Sequence, residues 1–126
     1  MDYDSYGVSA SGFRRAFAQL KRNRDHHLLV AEINGVIVGT LHVLIFRHIG
    51  HGLRPVAIVE NVVVDERSRS RGVGEALIDA AAAIARAQKC YKLSLTSNLK
   101  RLRAHKFYER LGWQRSHAGF TLPLDK

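Results

Sequence analysis

The sequence is poor in several features, and each shortage removes a class of function. It holds one cysteine, Cys90, in 126 residues. A lone thiol closes no internal disulfide, so a reducing cytoplasm is the simplest setting. Cys90 stands just before a strand pattern and reads as structural. No apolar run approaches the roughly 18 residues that a membrane span requires. The start, Met1-Asp2-Tyr3-Asp4-Ser5, has neither a basic n-region nor an apolar h-region, so it does not read as a signal peptide. There is no internal repeat, no low-complexity tract and no interdomain linker. Acidic residues are scarce: 11 against 20 lysines and arginines, for a net charge of +9 and a pI of 10.3. That balance suits an anionic partner, small ligand or nucleic acid, and does not choose between them. Interleaved aromatics on a strand face and a helix-turn-helix pattern are both missing, so no nucleic-acid role is expected.

What is present is a globular composition, 46% hydrophobic and 25% charged. It supports one domain over residues 1–126 with a core of its own. Residues 1–8 look loose. Ser9 or Ser11 can cap a helix to about Arg22, with Phe13, Phe17 and Leu20 on one face. Leu28 to Ile33 reads as a strand, Asn34-Gly35 as a type I′ turn, and Val36 to about Phe46 as the partner strand with a bulge at Gly39. Pro55 leads into a β-branched run, Val56 to Val64. A helix follows from about Glu75 to Lys89, then a strand from Lys92 to Thr96, expected parallel to the β-branched run because a helix crosses between them. A second helix covers about Arg101 to Arg110, closed by Gly112. Trp113 to Leu124 is expected to carry one or two last strands. The fold class is α/β: a mixed central sheet flanked by helices.

The stretch from Val56 to Glu75 organises the chain. An apolar strand runs into Arg69-Ser70-Arg71-Gly72-Val73-Gly74 and then a helix. Unpaired amides at a helix start, the helix dipole and nearby arginines make such a loop an anion site. A plain strand-turn-helix connection is the bland alternative. The loop is not a dinucleotide fingerprint, because Leu77 stands at the third glycine position. Nor is it a P-loop, which needs Gly-Lys-Ser/Thr.

Arg69-x-x-Gly72-x-Gly74 after Val62-Val63-Val64 resembles the cofactor signature of the GNAT superfamily of acyl-CoA-dependent N-acetyltransferases. Ala104-His105-Lys106-Phe107-Tyr108-Glu109-Arg110-Leu111-Gly112-Trp113 resembles that family's Ala-x-x-x-Tyr-x-x-x-Gly-Phe segment. The resemblance covers roughly residues 28–124 and implies the GNAT fold. The family usually places a strand before its first helix. Only eight residues precede Ser9, so that strand is expected to be missing or very short. Glu60-Asn61-Val62-Val63-Val64 and Cys90-Tyr91-Lys92-Leu93 are similar to glucosamine-6-phosphate N-acetyltransferases. Ser97-Asn98-Leu99-Lys100-Arg101, Ala104-His105-x-Phe107-Tyr108 and Ser116-His117-x-x-Phe120 are similar to aminoalkylphosphonate N-acetyltransferases.

The resemblance implies acetyl-CoA as cofactor, a small primary amine as substrate, direct attack of that amine on the thioester, and a homodimer. It implies a cofactor set of Val62, Val63, Val64, Arg69, Ser70, Arg71, Gly72, Val73, Gly74, Asn98, Tyr108 and Arg110. The pantetheine arm would pair with Val62 to Val64 and the pyrophosphate would sit on the Arg71 to Gly74 amides. Tyr108 would be the general acid; a core tyrosine beside Phe107 is the alternative. Glu60 is the candidate base, because a carboxylate in an apolar strand should have a raised pKa; a structural hydrogen-bonding group is the alternative. Asn61 alternates to the other face, so the two share a cavity only if a bulge intervenes. Asn98 is a cofactor contact or a turn cap. Arg101, with Lys100 and Arg103, is a substrate-phosphate contact or a solvated face. His105 is a substrate contact or a packing residue. His48-x-x-His51 has no carboxylate neighbour in sequence, so no metal is expected. A module that binds acyl-CoA without useful catalysis is the rival function.

Overall fold

Ser9 opens the first helix of the computed structural model, which describes residues 7–125. Its hydroxyl accepts the Gly12 N–H at 3.0 Å, so Ser9 rather than Ser11 caps helix α1, Ala10–Arg22. Lys21 and Arg22 in the last turn complement the helix dipole. Phe13 and Phe17 stay about half exposed. The expectations of a loose start and of a missing first strand fall largely on residues 1–6, outside the described residues.

Strand β1, His26–Ile33, begins two residues before the expected Leu28. Asn34 and Gly35 both take positive φ, 50° and 79°, as a type I′ turn requires, and they lead into β2, Val36–Phe46. The register of β1 against β2 slips where Ala31 faces Gly39 and Glu32 faces Ile37. The extra residue is therefore Val38, beside Gly39 rather than Gly39 itself. Gly39 has a different reason to lack a side chain. A Cβ there would lie 2.9 Å from Val73 Cγ1, 3.0 Å from Leu77 Cδ1 and 3.3 Å from the Val63 carbonyl oxygen.

Strand β3, Val56–Val64, runs antiparallel to β2, and β4, Lys92–Ser94, runs parallel to β3. The sheet order is β1-β2-β3-β4, mixed as expected. Helix α2, Val73–Ala87, crosses between β3 and β4. Alternation along β2 and β3 buries Leu41, Val43, Ile45, Ala57 and Val59. The stripe Leu77, Ile78, Ala81 and Ala85 of α2 is buried with them, its alanines permitting close approach.

The chain divides into two compact units, one up to Leu95 and the other from Thr96 onward. In the second, helix α3, Leu102–Arg110, ends in a Schellman turn. Gly112, φ 95°, donates to the Glu109 carbonyl at 3.0 Å, and Trp113 N–H donates to the Tyr108 carbonyl at 3.0 Å. The strands expected between Trp113 and Leu124 do not form: no strand occurs in residues 113–125. The alternation Phe120, Leu122, Leu124 has the strand period, but these side chains are 95%, 82% and 91% exposed. A strand is held by backbone pairing and one buried face, and this segment has no buried face.

Candidate functional site

The centre of β3 departs from regular pairing where the sequence places its two polar residues. Thr40 faces Val63 and His42 faces Glu60, so Leu41 alone stands opposite both Asn61 and Val62. This is a bulge on β3, with Asn61 left-handed at φ 53°. Asparagine tolerates that conformation better than its β-branched neighbours would. The bulge is the device that lets Glu60 and Asn61 escape strict alternation, and both are exposed. Glu60 therefore does not experience the burial expected from its apolar strand. Val59, 2% exposed, takes the core position, and Glu60 stands out from it.

Past the bulge, β3 has a free edge. Strand β4 pairs only with Val56, Ala57 and Ile58. From Val59 to Val64 the β4 side of β3 has no strand partner among the described residues. Its outward amides and carbonyls are a template for an extended ligand.

The same strand leads into the glycine loop. Asp65 takes the Arg67 N–H on its carboxylate at 3.2 Å, and the short 3-10 turn Glu66–Ser68 buries Ser68. Ser70 and Gly72 are left-handed, φ 64° and 80°, the alternation from which amide nests are built. Gly72 caps α2 without a side chain to bond the first turn. The first intrahelical bond is Ala76 N–H to the Gly72 carbonyl at 3.0 Å, which leaves the amides of Val73, Gly74 and Glu75 without intrahelical acceptors. Arg71 is exposed. Among the described residues Arg69 holds only an exposed 3.8 Å ion pair with Glu66, worth little in water, so its guanidinium is available to an anion.

In the second unit, Tyr108 is half-buried on α3. Its ring meets Phe107 edge-on at 5.2 Å and Trp113 at 5.6 Å. The Trp113 contact accompanies the Schellman turn, which fixes the ring from the helix end. Burial pushes the Tyr108 phenol above its ordinary pKa, and the Arg101 charge pulls the other way. Asn98 uses its Oδ1 to accept the Lys100 N–H at 2.9 Å, as the turn-cap alternative requires. His105 donates from Nε2 to the Asn98 carbonyl at 2.9 Å, as a packing residue would. Arg101 is exposed at the start of α3, and the Arg110 guanidinium lies 5.8 Å from the Phe107 ring centre.

A histidine pair was not singled out by sequence reasoning. His26 Nε2 and His42 Nδ1 are 2.9 Å apart across β1 and β2. Burial lowers the pKa of both; His27 adds to the effect on His26, and His26 to that on His42, while Glu60 opposes it at His42. The signal was there to be seen: His42, like Glu60, is a polar residue inside an apolar strand. His48 and His51 pack edge to face at 6.0 Å, and His51 stacks on Tyr91 at 4.0 Å. Among the described residues no group of three His, Cys, Asp or Glu side chains could hold a metal ion. Burial raises the Cys90 thiol pKa, against the opposing charges of Arg47 and Arg54. Among the described residues no helix is long and apolar enough to cross a membrane.

A mixed sheet whose third strand bulges, opens on one edge and feeds a glycine loop at a helix start offers backbone partners and an anion site along one strand. The chain belongs to the acetyltransferase (GNAT) family, whose sequence model matches residues 2–113. It is 42% identical over 90 residues to the glucosamine 6-phosphate N-acetyltransferase of Trypanosoma brucei brucei, covering 71% of this chain and 59% of that protein. It is 31% identical over 112 residues to the aminoalkylphosphonate N-acetyltransferase of Salmonella typhimurium, covering 89% of this chain and 72% of that one. A solved Trypanosoma brucei acetyltransferase superposes with a TM-score of 0.78 at 33% identity, covering 93% of this chain and 81% of the other.

Proposed function

We propose that the chain is an N-acetyltransferase that moves the acetyl group of acetyl-CoA, by direct attack, to the primary amine of a small anionic metabolite. The observation that carries this is the continuity of the open β3 edge with the glycine loop. An extended pantetheine arm needs backbone partners, which Val62 to Val64 offer. A pyrophosphate needs converging amides and cations, which Ser70 to Gly74, Arg69 and Arg71 offer. The family match runs through both units, which supports treating residues 1–126 as one acetyltransferase domain.

Three tasks make up the reaction. The ammonium must lose a proton, and Glu60 is the carboxylate in place at the bulge. The thioester carbonyl gains negative charge, and a free β3 amide is a suitable donor for it; one such donor is worth about 10²–10³ in rate. The departing thiolate takes a proton, and Tyr108 holds one across the neutral range. Arg110 and Asn98 complete the cofactor set. Both relatives' names join an amine to a phosphorus oxyanion, which favours a substrate of that class. Asn61, Arg101 and His105 are its candidate contacts. The exposed apolar segment Phe120 to Leu124 supports a homodimer in which it is covered. A CoA thioester and an unpaired thiol both suit the cytoplasm.

Thiol release from acetyl-CoA, measured across amino sugars and aminoalkyl acids with and without phosphate or phosphonate, tests the reading. Release with at least one phosphorylated amine, at a kcat/KM about tenfold or more above its neutral counterpart, is expected. Tight acetyl-CoA binding with no release across the panel would instead identify a non-catalytic acyl-CoA module.

A further inference from the structure

Beside Glu60 lies a row of titratable groups that the reaction so far leaves idle. His42 on β2 faces Glu60 on β3 directly, at the last regular pair before the bulge. Facing residues of an antiparallel pair bring their Cβ atoms within roughly 4.5–5.5 Å on one sheet face. That face is the one opposite the core, because the flanking Leu41 and Val43 are the fully buried residues. On β1, His26 bonds His42 ring to ring at 2.9 Å. The row therefore runs Glu60, His42, His26 across three adjacent strands.

We propose that this row is the outlet for the substrate's proton: Glu60 collects it from the ammonium, and His42, held by His26, takes it from Glu60. The inference rests on the acetyltransferase reading above. A neutral imidazole is matched to proton transfer near neutral pH. Burial keeps both rings neutral near pH 7, with the Glu60 charge acting on His42 in the opposite direction. In a neutral pair one ring donates. When His42 Nδ1–H donates to His26 Nε2, His42 Nε2 carries the free lone pair. Protonation at Nε2 then leaves the Nδ1–H bond to His26 in place, and that bond stabilises the imidazolium. The steps balance. An ammonium N–H breaks as a Glu60 O–H forms; that O–H breaks as the His42 Nε2–H forms; water then takes the proton from His42. No electrons are exchanged.

Two readouts decide it. In a histidine C–H NMR titration, Glu60→Gln should lower the His42 midpoint, because the opposing charge is removed. An unmoved midpoint overturns the coupling, whether or not the chain is active. In kinetics, His42→Gln should retain a bond to His26 while losing its titration. It should lower kcat/KM for the amine by about tenfold, flatten the acidic limb of the pH profile, and leave KM for acetyl-CoA and the melting temperature in place. An unchanged pH profile, or a loss of rate explained by a lowered melting temperature, overturns the role. If wild type releases no thiol with any amine, the acetyltransferase reading fails and the proton path falls with it. If wild type turns over and His42→Gln has the wild-type profile, only the proton path fails.

Discussion

Tyr108 shows how surroundings tune a single side chain. Packing between Phe107 and Trp113 removes water from the phenol, and burial raises its pKa despite Arg101. It remains protonated well above neutrality. Tyr108→Phe should lower kcat by about 10²-fold while acetyl-CoA affinity, read by calorimetry, changes little. Unchanged turnover would remove Tyr108 from the acid role. The histidines make a stability prediction. His26 and His42 have folded pKa values below their ordinary 6.5 because burial disfavours their charged forms. The unfolded chain therefore binds protons first as pH falls. Stability should hold above pH 6.5 and decline below it, through the depressed folded values, in urea titrations at graded pH. His26→Asn combined with His42→Gln should flatten that decline. At this scale the sequence marked Glu60 and Asn61 as polar residues inside an apolar strand. It misjudged the surroundings of Glu60, because alternation along β3 decides exposure and an apolar run does not reveal which residues face out.

The elements add what single residues cannot. Both ends of β2, the start of β3 and the Asn34-Gly35 turn were legible because β-branched runs and turn residues are local signals. The bulge was not. One extra residue opposite Leu41 is a property of two strands together, and its trace is only a polar pair in an apolar run. The shortness of β4, which stops at Ser94 instead of Thr96, was hidden for the same reason, and it frees Val59 and Glu60 in addition to the part of β3 beyond the reach of either length. Gly39 links the hairpin to the start of α2, just after the glycine loop. Gly39→Ala would press on Val73 and Leu77 at the start of α2, so a loss of about 1–3 kcal/mol in chemical denaturation is expected. Gly72→Ala would force a Cβ into a left-handed residue at φ 80°, at a cost of about 1–2 kcal/mol, and distort the amide loop. Acetyl-CoA binding should weaken by about tenfold on calorimetry, from that same cost.

At the scale of the molecule, a small mixed sheet buries one face in the core and leaves Glu60 exposed on the other. Leu41 is 0% exposed, and Leu41→Ala should cost about 2–5 kcal/mol in stability. The order of elements was legible because helical and strand periods differ along the chain. The last strands were not, because Phe120, Leu122 and Leu124 carry the strand period in a segment with no buried face. The excess of cations, +9 overall, adds a further expectation. Affinity for the polyanionic end of acetyl-CoA should fall as salt rises, since exposed charges are screened over about 8–10 Å at 0.10–0.15 M. In the proposed reaction the free β3 edge and the glycine loop together seat acetyl-CoA. Amide hydrogen exchange with and without acetyl-CoA tests it most directly. Peptides covering Val62 to Val64 and Ser70 to Gly74 should exchange more slowly when the ligand is bound, while α1 keeps its rate. Saturating binding with no protection in either stretch would contradict the account.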